Sequence, residues 1–408
     1  MPVHTWRTEI TWLLQAAMLV FVLTVVLGIL NGQQIITPQD QAARLAHVHS
    51  GTLGWITLSV LAVCLWLFGE STASARVRAW MRGVSLLAAV SIPVYVLAFL
   101  SGNLVARAVF GVPVLLAIAG FLAWVLYQSR QMRLGVAHLA ILGAIVTLTT
   151  GAILGVLLQV DLATNQNFLP TGAFAAHPSA LVVGYLVLIG MALSEWRLLP
   201  PQTGRLSRLG LVQVALPFAG GLVLTSAAFL NLMALFAVSI LCEILGMLLY
   251  VWRFAPRIAR APWLERSSTR HFAISGIFLV LNVLLISWLI FAFLSGVYPS
   301  FEAIPLWLIF AFDHGMFIGV LTNALFGLIQ EVAAERRSFW PWVDDVLFWG
   351  MNLGLIGFVL SLLSNSRQFE PYVTPIMGGS ILLALLAYSI RLLTRKPTAV
   401  PATPGVQA

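Results

Sequence analysis

Charge is what this sequence has least of. Only 9% of its 408 residues are charged, against about 25% in a soluble globular domain. A chain that is 60% hydrophobic, with a mean hydropathy of +0.97, cannot cover a water-facing surface, so its solvent is lipid. Cysteine is nearly absent as well. Cys64 and Cys242 both fall inside apolar runs, which excludes a disulfide framework. The lack of a Cys-x-x-Cys-His run excludes covalently attached haem. Hydrolase and phosphate-site motifs are missing too.

Apolar runs are what the chain has in quantity. They lie near 10–31, 49–69, 83–100, 105–127, 136–160, 175–196, 209–229, 231–252, 272–295, 304–329, 343–364 and 372–393. Each is long enough to cross a hydrocarbon core of about 30 Å as a helix. The fold class expected is all-α, a polytopic membrane bundle of about 12 helices. The first run is too long, and lacks the small-residue site, for a cleaved signal peptide. Basic residues alternate between loops so that all but Arg44, Arg107 and Arg367 fall on one side. By the positive-inside rule that side, with both termini, is cytoplasmic. The net charge of +8 is thus a topology signal; it implies a lipid bilayer as partner and no nucleic acid.

A weak internal repeat divides the helices. His49 starts HSGTLGWITL at the second helix, His177 starts HPSALVVGYLVL at the sixth, and His314 starts HGMFIGVLTNAL in the tenth. A glycine follows each (Gly54, Gly184, Gly319), and an acid ends each helix (Glu70, Glu195, Glu331). The spacing is four helices, so a single transmembrane domain over 1–396 reads as three four-helix units, about 1–130, 131–260 and 261–396. The Pro- and Ala-rich residues 397–408 read as a disordered tail.

Polar groups are costly in lipid, so an intramembrane histidine implies function or a hydrogen bond to a neighbouring helix. Three at matching repeat positions, all at the outer side, favour a shared metal centre. Neutral imidazole suits iron and copper. His47 lies two residues before His49 and so points about 200° away, which reads as an interfacial residue. His138 and His271 open the fifth and ninth helices at the cytoplasmic side and read as interface anchors; His4 sits in the N-terminal segment. Glu243, mid-helix in AVSILCEILGMLLY, reads as a neutral or paired carboxyl bonding a neighbouring helix, or as a proton-path group. Asp313 stands beside His314 as a possible orienting acceptor, although adjacent helical residues diverge by about 100°. The tryptophans, Trp55 among them, read as membrane packing.

In these motifs the chain resembles the catalytic subunit of the heme-copper oxidase superfamily, which includes cytochrome c oxidases and nitric oxide reductases. The likeness rests on His49 in AHVHSGTLGW, His177-Pro178 at the sixth helix and His314 in FDHGMFIG. It implies twelve helices in three arcs with haem towards the outer side. It implies one haem, or two, with His49 and His314 as axial ligands and His177 as a further ligand for haem or copper. The family's His-x-His pair on the tenth helix is here His314 followed by Met316, its seventh-helix His-His copper pair has no counterpart, and Leu181 replaces its cross-linked tyrosine. The expectation is an oxidoreductase-like protein of electron transfer or O2/NO handling with an incomplete copper site. The resemblance further implies the inner membrane of a prokaryote and a periplasmic donor such as a cytochrome c or a cupredoxin; for Asp313, turned from the His314 ring, the roles open are serving another ligand or, through water, a haem propionate. The chain is also similar in its histidine pattern to the NnrS family of haem- and copper-containing membrane proteins. A secondary transporter is the alternative from another class, although many transporters repeat as 6 + 6.

Overall fold

Twelve helices long and apolar enough to cross a membrane account for nearly all of the structure, a computed structural model that describes residues 5–36, 40–69, 73–199, 206–299, 303–334, 336 and 338–394. They are α1 (Arg7–Gly32), α2 (Gln41–Phe68), α3 (Ala75–Leu100), α4 (Leu104–Ser129), α5 (Val136–Thr164) and α6 (Ala173–Leu198). The second half comprises α7 (Arg208–Leu230), α8 (Met233–Ala259), α9 (Ser268–Leu294), α10 (Leu306–Val332), α11 (Val343–Leu363) and α12 (Arg367–Leu393). No strand occurs among the described residues. Glu70 and the tail 397–408 lie outside them.

Helix α2 starts well before its apolar run. Asp40 caps it, the carboxylate accepting from the Ala43 N–H at 3.0 Å, and eight residues precede His49 within the helix. His49 therefore does not open the helix as the hydropathy suggests; capping, which hydropathy cannot register, extends it. Asp40→Ala is expected to cost about 1 kcal/mol, read as faster amide exchange at Ala43 and Arg44.

The three histidine-bearing helices are the innermost. Their apolar windows are 83% (α2), 72% (α6) and 67% (α10) buried, against 33–56% for the others. Each switches from α- to π-helical bonding at the same place. The segments Ser50–Thr57, Ala180–Leu186 and Gly315–Thr322 all begin four residues before Gly54, Gly184 and Gly319. Thr57 and Thr322 each donate their hydroxyl to the carbonyl five residues back, Thr52 and Phe317, at 2.8 and 2.7 Å. The contacts between inner helices are cyclic. Trp55 donates Nε1–H to the Thr322 hydroxyl at 2.9 Å, and Tyr185 donates its O–H to Thr57 at 3.3 Å. Helices α10 and α6 meet where Val320 lies against Gly190.

The glycines set how closely helices approach. A Cβ on Gly54, Gly184 or Gly319 would strike Val20 on α1, Thr147 on α5 or Phe278 on α9 respectively. Close approach of this kind drives helix association where lipid is as apolar as the side chains. At the arginine-rich end ion pairs tie α6 to α8, α6 to α10 and α9 to α11. Arg253 bonds Glu195 at 2.8 Å, Arg197 pairs with Glu331, and the fully buried Arg270 bonds Asp345 at 3.0 Å. Arg270→Ala is expected to destabilise by about 2–3 kcal/mol, below the range for a fully buried pair because Asp345 is a third exposed. A thermal melt in detergent checks this.

Candidate functional site: a cleft between two imidazoles

At the arginine-poor end, a cleft opens among α1, α2, α10, α11 and α12. The cleft and its open mouth together enclose some 1390 Å³. The walls are apolar and aromatic, with Phe310, Phe317 and Phe358 facing a stacked pair, Phe21 on Trp55, whose centroids are 4.5 Å apart. Two imidazoles line the cleft, His47 on α2 and His314 on α10. Their ring centroids are 6.1 Å apart and their planes differ by 25°.

Each ring is aimed by its Nδ1. His47 Nδ1 meets the Thr24 carbonyl of α1 at 2.9 Å, and His314 Nδ1 meets the Phe310 carbonyl one turn back at 2.8 Å. A carbonyl accepts only, so each ring carries its proton on Nδ1 and presents Nε2 as a lone-pair donor. Gly28 on α1 makes room for His47: a Cβ there would stand 3.0 Å from Cε1. The mouth is polar, with Arg44, Arg367 and Glu370, and Arg367 bonds Glu370 at 2.8 Å.

These residues fit a haem. Ring centroids 6.1 Å apart are compatible with a metal held between the two rings at about 2.0–2.1 Å from one nitrogen of each. The aromatic walls suit a flat apolar macrocycle, and the arginines at the mouth suit its carboxylates.

The sequence-predicted residues separate. His314 lines the cleft, but His49 does not. His49 faces away towards α3, where its ring stacks on Phe99 at 3.7 Å, and its Nδ1 meets the Leu45 carbonyl at 2.8 Å. His177 bonds the Gly151 carbonyl of α5 through Nδ1 at 2.8 Å. No group of three or more His, Cys, Asp or Glu among the described residues is spaced to hold a metal ion. The partner of His314 is thus His47, which the sequence reading placed at the interface. The rotation of about 200° between them was sound, but it turned the wrong histidine into the cleft. A signal was present: His47 and His177 stand seven residues before their glycines, whereas His49 and His314 stand five before theirs.

Asp313 lines the cleft, but the Phe310 carbonyl, not Asp313, fixes the tautomer of His314. Glu243 is buried against Gly220 of α7, and neither carboxyl oxygen has a hydrogen-bond partner among the described residues. His138 opens α5, its Nδ1 accepting from the Gly135 N–H at 3.0 Å. His271 is no interface anchor: it is wholly buried, its Nδ1 3.2 Å from the side-chain Oδ1 of Asn323, in a chain that continues from Asn323 to Asn352 at 2.8 Å. The polar loop before it hid that burial from hydropathy.

The fold and the cleft together define the class: a multi-pass α-helical membrane protein with an imidazole-lined cleft at its arginine-poor end. Comparison with protein-family models and with curated proteins gives no match for this chain.

Proposed function

We propose that this protein binds haem between His47 and His314 and serves electron transfer, as a divergent relative of the heme-copper oxidase catalytic subunit. The observation that carries this reading is the pair of opposed rings 6.1 Å apart across an aromatic cleft. Haem supplies a reversible one-electron change at iron. The chain's own groups do the rest. Thr24 and Phe310 carbonyls hold both rings in the Nδ1–H tautomer and direct Nε2 into the cleft. The aromatic walls exclude water, and Arg44 and Arg367 at the mouth receive carboxylates.

Because His47 and His314 would both hold the group, electron transfer is favoured over binding of O2 or nitric oxide, which needs an open position. The cleft's position at the arginine-poor end favours a periplasmic donor such as a cytochrome c or a cupredoxin, in the inner membrane of a prokaryote. The reading includes no copper, since α7 has no histidine. An optical spectrum of the purified protein, oxidised and dithionite-reduced, with iron analysis, tests it. Sharp reduced bands insensitive to carbon monoxide are expected. Colourless, iron-free protein from haem-replete cells would overturn the reading in favour of a secondary transporter.

A further inference from the structure

Two threonines of the widened turns bond differently from those of the regular helices. A threonine hydroxyl in an α-helix reaches the carbonyl three or four residues back. Thr149, Thr150, Thr225 and Thr374 each bond the carbonyl four residues back. Thr57 and Thr322 reach five back, to Thr52 and Phe317, which is the span of a π turn. Both are buried.

Each hydroxyl is also held from a neighbouring helix. Trp55 Nε1–H can only donate, so Thr322 accepts from it and keeps its single proton for the Phe317 carbonyl. Tyr185 donates in the same way to Thr57. The repeat shows these bonds to be matched parts. The donors Trp55 and Tyr185 stand one residue after Gly54 and Gly184, and the acceptors Thr57 and Thr322 stand three after Gly54 and Gly319. The third link would run from α10 to α6. There the donor position is Val320 and the acceptor position is Val187, so both halves of the bond are missing together. Helix α6 still has its π segment, so the hydroxyl does not create the turn. It fixes where along the helix the turn sits.

The place of the turn decides where a ring points. Moving a widened turn one position along the helix swings the residue it passes by about 100°. His314 is the last residue before the π segment of α10, and His47 stands three residues before that of α2. The start of the α2 segment is pinned a second time: Ser50 donates to the His47 carbonyl at 3.0 Å and accepts from Thr24 at 2.8 Å. Gly315 holds the matching place in α10, so α10 lacks that pin. The two helices with a threonine at the end of the turn are the two that bring an imidazole to the cleft. Helix α6 brings none and has Val187.

We propose that Thr322 and Thr57 are positioning residues of the cleft: their hydroxyls lock the widened turns of α10 and α2 and so keep the His314 and His47 rings aimed into it. The inference rests on the haem reading of that cleft. Valine keeps the shape of threonine without the hydroxyl, so Thr322→Val releases the turn and leaves Trp55 Nε1 without its acceptor. A His314 ring turned out of the cleft leaves a coordination position open.

Carbon monoxide binding by the dithionite-reduced protein, with the low-spin EPR signal of the oxidised form, tests the proposal on preparations that elute as one monodisperse species. Wild type is expected to bind no carbon monoxide. Thr322→Val should gain a carbon monoxide-binding band and hold haem about 10–100-fold less tightly, as for the loss of a group that orients a metal ligand. Thr57→Val should show the same change more weakly, because Ser50 still holds α2. Should Thr322→Val fail to elute as one species, Thr57→Val carries the comparison. Thr322→Ser keeps the hydroxyl and should restore the wild-type spectrum. Thr149→Val, which removes a hydroxyl bonded four residues back on α5, should leave it unchanged. Wild-type EPR and no carbon monoxide binding in both valine variants would overturn the lock, as would equal damage from Thr322→Val and Thr322→Ser. Either result leaves the haem reading standing. Colourless wild-type protein would overturn that reading and this role with it.

Discussion

Alanine at either His47 or His314 is expected to empty the cleft between α2 and α10, whereas His49→Ala leaves that cleft loaded. Both rings are held by backbone carbonyls and reach one cleft from two different helices, so neither can substitute for the other. Loss of a group that merely orients a metal ligand lowers affinity by about 10–100-fold; loss of the ligand itself is expected to lower retention by at least that much. The measurement is the reduced-minus-oxidised spectrum of each variant, with the bands of this cleft assigned by their absence in His314→Ala. If His49→Ala removed those bands and His47→Ala did not, the assignment of ligands across the cleft would be reversed and the geometry argument lost.

The second large effect is expected at Gly221. There α7 crosses α6 backbone to backbone, and a Cβ on Gly221 would lie 2.5 Å from Gly184 Cα and 2.9 Å from its N. No side chain is present to rotate away, so Gly221→Leu must push two helices apart. Overpacking commonly costs about 1–3 kcal/mol and sometimes more; with backbone on both sides this substitution belongs at or above the top of that range. The variant should melt several degrees earlier in detergent and lose its monodisperse elution peak. Gly83→Leu on α3, where nothing lies within 4 Å of the added Cβ, is the control and should elute as wild type. Equal damage from both substitutions would mean that the crossing carries no special weight.

The membrane fold was legible because lipid imposes a simple rule: each crossing must satisfy its own backbone, so each shows as an apolar run. The tight α7–α8 connection was readable at Leu230 and Asn231, where the structure has Asn231 in the left-handed region at φ 55°. Helix starts were less readable. Asp40 and the amphipathic turn after it belong to α2, yet they resemble a loop to any hydropathy window. The site was legible in part. The repeat singles out His314, which lines the cleft, but the choice between His47 and His49 depends on helix rotation. Hydropathy carries no information about rotation, and the matching offsets from Gly54, Gly184 and Gly319 do. His271 went astray for the opposite reason: its position beside Arg270 suggested solvent, but both side chains are turned inward to acceptors on α10 and α11.

The widened turns of α2, α6 and α10 have a consequence for how such a molecule can vary. A π segment carries a surplus residue relative to an α-helix of the same rise. The wider turn takes up that residue locally, so the helix on either side keeps nearly the rotation it would have without it. Deleting one residue between Ser50 and Thr57 would let α2 close up as an ordinary helix with His47 facing much as it does now. Deleting one residue from the regular α-helix after Leu58, which has no surplus to give up, would turn everything on its N-terminal side by about 100°. In this fold the direction of a side chain is encoded by a residue count, and the three widened segments are the places where that count can change at least cost to direction.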